Sequence, residues 1–157
     1  MRQLPAFFLC ISLAGAAWSA GGGGGDTEAP RTQADPQYSQ AIELIRQHEY
    51  AKAIPLLNAY VARAGDSADA QNYLGYASRK SGNLQAAFTH YNKALALNPK
   101  HRGAHEYIGE AYLMSDNLPK AEEHLKVLDG LCTFSCEEYR DLKSSIAAYK
   151  AKKTATR

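Results

Sequence analysis

The sequence predicts an all-α chain, an α-solenoid of three helical hairpins closed by one further helix. Two observations carry this. From Ala34 onward apolar residues recur at helical spacing, broken every dozen or so residues by short polar segments. Two of those breaks, Ser81-Gly82-Asn83-Leu84 and Ser115-Asp116-Asn117-Leu118, lie 34 residues apart, the mark of an internal repeat.

Stacked at that period, the chain divides without gaps into units 34–67, 68–101 and 102–135. Ala53, Ala87 and Ala121 share one column, and Ala41, Gly75 and Gly109 another. Leu57, Tyr91 and Leu125 form a third, and Tyr50, Leu84 and Leu118 a fourth. The two small-residue columns are expected to face each other where the helices of one hairpin approach. The large residues four positions further on should fill the space between units. One hairpin cannot bury its apolar face alone, so the units must stack.

The pattern predicts helices over 36–47, 50–63, 68–81, 84–97, 102–115, 118–129 and 136–151. Pro55 falls early in the second, where a missing N–H costs little or bends the helix mildly. Ser135 is a good N-cap for the last helix, and Glu138 three residues on would complete a capping box. Tyr139, Leu142, Ile146 and Tyr149 then recur on one face, as expected of a helix that covers the open side of the third hairpin. Residues 152–157 are left as a tail.

The first 19 residues read as a signal peptide: Arg2, an apolar run from Pro5 to Trp18 broken only by Ser12, and the small-x-small end Ala17-Trp18-Ser19. Gly21 to Gly25 opens a Gly-rich flexible linker over 20–33, and the folded domain spans 34–151. The expected location is therefore periplasmic or secreted. Cys10 lies inside the apolar run and would leave with it, so only Cys132 and Cys136 remain.

Composition narrows the function. Charged residues make up 22% of 157 residues and the formal net charge is +2; loss of Arg2 with the leader would leave +1. That offers no basic field for nucleic acid. No nucleophile elbow, phosphate-binding glycine loop or carboxylate pair set for acid–base work is present, so the chain is expected not to be an enzyme. The five histidines show no metal-ligand spacing and are expected at the surface. No cofactor and no small-molecule substrate are expected, and contact with a membrane only through a partner.

The units resemble tetratricopeptide repeats on the strength of Leu74-Gly75, Gly82, Ala87-x-x-x-Tyr91, Ala94 and Pro99 in the second. Ile108-Gly109, Tyr112 and Ala121-x-x-x-Leu125 carry the resemblance in the third. The first unit departs from the pattern, with Gln40-Ala41 for Leu-Gly and Gly65 for the terminal proline, but keeps Ala53-Ile-Pro55-Leu-Leu57. The third has Thr133 in place of that proline. The resemblance implies that the first helix of each hairpin lines a concave groove. In register those positions are Tyr38, Ile42, Asn72, Tyr76, Arg79, Glu106, Glu110 and Leu113, a tyrosine-bearing lining suited to a protein or peptide partner. The family's carboxylate clamp needs Lys and Asn where this chain places Tyr38, Ile42, Glu106 and Glu110, so that ligand is not implied.

Cys132 and Cys136 admit three readings. A loop cysteine and one at a helix start can reach disulfide distance and staple the last helix to the third hairpin. A thiol at a helix N-terminus is also acidified, which suits redox chemistry, and two thiolates can hold copper(I). The segment from Cys132 through Lys143 is similar to the tail of small exported bacterial repeat proteins. The function expected is a non-catalytic scaffold or adaptor that binds a peptide or protein segment. The alternative is a periplasmic thiol-redox or copper-handling accessory using the cysteine pair.

Overall fold

The computed structural model describes residues 35–155, and the leader and glycine-linker expectations lie outside them. Seven helices follow in order: α1 (Pro36–Arg46), α2 (Tyr50–Ala64), α3 (Ala68–Lys80), α4 (Leu84–Leu97), α5 (Arg102–Met114), α6 (Leu118–Leu131) and α7 (Glu137–Ala155). They pair as the hairpins α1/α2, α3/α4 and α5/α6. Each hairpin packs on the next, and α7 lies against both α5 and α6. Among the described residues there is no strand, and no helix is long and apolar enough to cross a membrane.

The repeat is written into the helix ends. Asn83 and Asn117, one period apart, cap α4 and α6 by accepting from the N–H of Ala86 at 3.1 Å and of Lys120 at 3.2 Å. Ser67 and His101 do the same for α3 and α5, the histidine through ring Nδ1 at 3.0 Å from the N–H of Ala104. The turn inside each hairpin has one geometry. His48, Gly82 and Asp116, again one period apart, all take positive φ near 60–84°. The next residue then donates to a carbonyl five positions back: Glu49 to Leu44 at 2.8 Å, Asn83 to Ser78 at 2.9 Å, Asn117 to Tyr112 at 2.9 Å. This is the Schellman closure, which satisfies the orphan carbonyls at a helix end.

Three buried clusters form the core. Ala41, Ile45, Ala53, Leu57 and Leu74 join the first hairpin to the second. Ala87, Tyr91, Ile108 and Ala111 join the second to the third, and Ala121, Leu128, Leu142 and Ile146 join the third to α7. The glycine column works differently from the expectation that small residues face each other. A Cβ on Gly75 would lie 2.5 Å from the Tyr91 ring, and one on Gly109 2.7 Å from Leu142 Cδ2. Each glycine thus makes room for a large buried side chain.

The start of α7 also departs from expectation. Ser135 has φ 52° and forms no capping box; the carbonyl of Cys136 accepts from the N–H of Arg140 at 3.2 Å, so the helix begins one residue later. Glu138 instead pairs with Arg102 at 3.4 Å. At its other end α7 runs to Ala155, past the expected end at 151. Lys150 reaches Glu122 at 2.6 Å and Lys153 reaches Asp116 at 2.5 Å, which ties the last turns to the third hairpin.

In the structure Cys132 and Cys136 are joined as a disulfide, with Cα atoms 5.6 Å apart, between the end of α6 and the start of α7. A five-residue ring of this kind stabilises by about 2 kcal/mol on the chain-entropy account. Double replacement Cys132→Ser, Cys136→Ser is expected to lower the unfolding free energy by about that much, read as a fall in the urea midpoint. An unchanged midpoint would mean that packing alone holds α7.

Candidate binding site

The first helices α3 and α5 lie side by side, and α7 takes the place of a third beside α5. The period explains why. Leu74, Ile108 and Leu142 are each one period apart and are all buried. So α7 occupies the position of the first helix of a fourth unit, and it adds its own side chains to the face made by α3 and α5.

The centre of that face is Arg79, only 6% exposed. One guanidinium nitrogen pairs with Glu110 at 2.5 Å, and Nε donates to the Tyr91 hydroxyl oxygen at 3.3 Å. Its carbon stands 5.4 Å from the Tyr76 ring centroid and 5.7 Å from that of Tyr107. Burial works against the charge, but the Tyr91 oxygen and Glu110 outweigh it and hold the group above its ordinary range. Burial likewise raises the Tyr91 and Tyr107 hydroxyls. Arg79, Glu110, Leu113, Met114 and Ser145 together line a shallow pocket of about 210 Å³.

A second, larger cleft of about 320 Å³ lies toward the N-terminal ends of α3, α5 and α7. Asn72, 5% exposed, and Glu106, 8% exposed, both line it. Around them stand Asp69, Glu137, Glu138 and Asp141, with Tyr73, Tyr107 and His101. Burial pushes the Glu106 carboxyl up to about 8, helped by the negative charges of Glu110, Asp141 and Glu138.

The eight groove positions read from the sequence therefore separate. Arg79, Glu110 and Leu113 come together at one pocket and Asn72 and Glu106 at the other, with the Tyr76 ring beside Arg79. Tyr38 and Ile42 belong to the first core cluster, the Tyr38 ring 4.8 Å from that of Tyr60 and 6.2 Å from that of Tyr73. Ser145, Asp141 and Glu138 are not singled out as lining residues by the sequence pattern, because the apolar spacing of α7 marks only a covering helix. Run once more, the 34-residue period carries the groove register to Arg140, Ser144 and Ala147 instead; Asp141 continues the cleft-lining column of Tyr73 and Tyr107, which the groove register also leaves out.

The histidines are not all at the surface. His105 is buried and His124 half-buried, their Nδ1 atoms 2.9 Å apart. His105 Nε2 sits 3.0 Å from the Pro99 carbonyl and must donate to it, so its Nδ1 accepts the proton held by His124 Nδ1. Burial, then His105, hold His124 down at about 4. Unfolded, it takes a proton near 6.5, so between 6.5 and 4 the unfolded chain binds more protons and stability falls as pH falls. Glu106 acts in the opposite sense. Its folded value of about 8 lies above the ordinary 4.5, so its contribution is lost as pH rises through that range. Glu106→Gln is expected to leave stability rising from pH 4 to 6.5 by up to roughly 3 kcal/mol and level above. His124→Gln should leave it falling from pH 4.5 to 8. Urea midpoints across pH check both, and parallel profiles for the two variants would refute the assignment.

Two family profiles, both described as tetratricopeptide repeat, match residues 38–100 and 78–146. A search of curated protein sequences finds no significant match. Among solved structures the chain is similar to the Yersinia enterocolitica type III secretion translocator chaperone SycD. Identity is 22% and TM-score 0.65, over 75% of this chain and 83% of that one. SycD in complex with a peptide of the translocator YopD gives 22% and 0.62, over 74% and 92%. PcrH in complex with the chaperone binding region of PopD gives 15% and 0.65, over 74% and 90%. At these identities the likeness shows the fold. The expected periplasmic or secreted location is corrected by the same comparison: the structures found are type III secretion chaperones, which point away from it.

Proposed function

The chain belongs to the tetratricopeptide repeat family, and from that premise we propose that it is a non-catalytic module. It holds a peptide or protein segment on the face of α3, α5 and α7. The observation that carries this is the pair of clefts of about 210 and 320 Å³, arranged along that face on either side of Tyr107 and floored by buried polar side chains. A single small-molecule site would be one enclosed, mostly apolar cavity; an open row of shallow pockets suits an extended segment. The support from relatives is that SycD and PcrH, of the same fold, occur in complex with segments of other proteins.

The thiol-redox or copper reading has lost its ground. What favours a binding module over it is the repeat family and the neighbours of the same fold that occur in complex with peptide segments. The Cys132–Cys136 pair is better understood as a staple for α7. Site-specific photo-crosslinking in cells tests the binding face. A photoreactive residue at Tyr73 or Leu113 is expected to give a cross-linked product of defined mass, and one at Thr89 or Lys126, on the second helices, is not. Products only from the second helices would overturn the reading.

A further inference from the structure

Acidic residues are concentrated in the larger cleft although the chain as a whole carries a formal charge of +2. Five carboxyls line it. Two have a basic partner: Asp69 bonds His101 at 2.9 Å, and Glu138 meets Arg102 at 3.4 Å. Arg79, the nearest buried cation, is taken by Glu110. Among the described residues no cation stands within ion-pair distance of Glu106, Glu137 or Asp141.

An independent observation comes from Asn72. Its side chain is 95% buried, the complement of its 5% exposure. Its Oδ1 is the one buried side-chain atom among the described residues with no hydrogen-bond partner. Gly103 lies on the amide's other side: a Cβ there would stand 3.3 Å from Nδ2, so the missing side chain leaves room for the amide against α5. A buried acceptor without a donor costs about 1–3 kcal/mol, and folded proteins keep few of them. Glu106 lines the same cleft, buried as well, with a charge that burial and the neighbouring carboxylates disfavour.

We infer that this cleft is a cation pocket that receives the ammonium of a lysine side chain from the bound segment. The assignment rests on the reading of this face as the binding face and specifies what one of its pockets takes. An ammonium carries three donors, and the cleft is lined by acceptor-bearing side chains on three helices: the Asn72 amide on α3, the Glu106 carboxyl on α5 and the Asp141 carboxyl on α7. A guanidinium prefers one carboxylate gripped by two parallel bonds. A metal ion needs a converging ligand set, which is absent among the described residues. A lysine also brings four methylenes, which suit the flanking rings of Tyr73 and Tyr107.

The test uses the full chain, ¹⁵N-labelled, at low salt, with Nα-acetyl-lysine methylamide as probe. Saturable shifts are expected at the Asn72 side-chain amide and at the backbone amides of Gly103 and Glu106, with a Kd on the order of 1–10 mM. Nε-acetylation of the probe should abolish them. Glu106→Gln with Asp141→Asn should weaken binding at least tenfold, and Glu122→Gln, on α6, should not change it. A spectrum of each variant establishes that it is folded. Equal shifts with the acetylated probe, no saturation, or full binding by the double variant would overturn the assignment. Tighter binding of Nα-acetyl-arginine methylamide would also overturn it, as would that of alanine methylamide, which offers only an N-terminal amine. Cross-linking at Tyr73 and Leu113 with a negative titration would sink the lysine pocket alone; absence of both would sink the binding face itself.

Discussion

Arg79→Ala is expected to cost about 3 kcal/mol or more, among the largest losses available to a single polar substitution in this chain. The reason is what the guanidinium leaves behind. Glu110 would keep a charge that is three-quarters covered, with only Ser145 at 3.4 Å as a remaining donor. The Tyr91 hydroxyl, fully buried, would lose its hydrogen bond. The rings of Tyr76 and Tyr107 would border a void where the cation stood. Glu110→Gln alone should cost less, because the amide oxygen can still accept from Arg79. Double-mutant analysis by urea unfolding should return a coupling of about 1–3 kcal/mol between the two positions. If Arg79→Met, which keeps the volume, unfolds at the wild-type midpoint, then the cation has no structural part and is free to serve a ligand. This matters for function, because a loss of binding in Arg79→Ala is read as a loss of fold unless stability is measured beside it.

The hairpins were legible because a period of 34 acts on every level at once. It spaces the capping residues Ser67 and His101, the caps Asn83 and Asn117, and the buried column Leu74, Ile108 and Leu142. The left-handed column was only partly visible. Gly82 announces such a turn, but His48 and Asp116 adopt it because the closing hydrogen bonds demand it, and neither residue type signals that alone. The binding face was less legible than the fold. Register gives the angle at which a side chain leaves its helix, and that put Tyr38 and Arg79 on one surface. It does not say what the neighbouring helix lays over them. Tyr38 is drawn into a ring cluster by Tyr60, a residue of the second helix. Arg79 is covered because Glu110 and two tyrosines converge on it from other positions. Ser135 shows the same limit at a cap: its sequence context is ideal, yet within the ring closed by Cys132 and Cys136 its backbone takes positive φ, and α7 begins at Glu137.

Leu142→Ala is expected to destabilise the chain by 2–5 kcal/mol, a loss on the order of 10 °C in Tm. Leu142 is fully buried and fills the space that Gly109 leaves on α5, so its removal opens a cavity where α7 packs against α5. Gly109→Ala attacks the same contact from the other side, since its Cβ would meet Leu142 Cδ2 at 2.7 Å. Each change alone should destabilise. Combined, the new methyl enters the space the leucine vacated, and the double variant should be more stable than the sum of the two losses by about 0.5–3 kcal/mol. Strict additivity would mean that α7 does not dock on α5 through this pair. The consequence reaches the binding face, because Asp141 and Ser145 ride on the same helix, one residue before Leu142 and three after it. Loosening Leu142 should therefore weaken the lysine probe even though Leu142 lines neither cleft, and restoring the packing with Gly109→Ala should recover part of that binding.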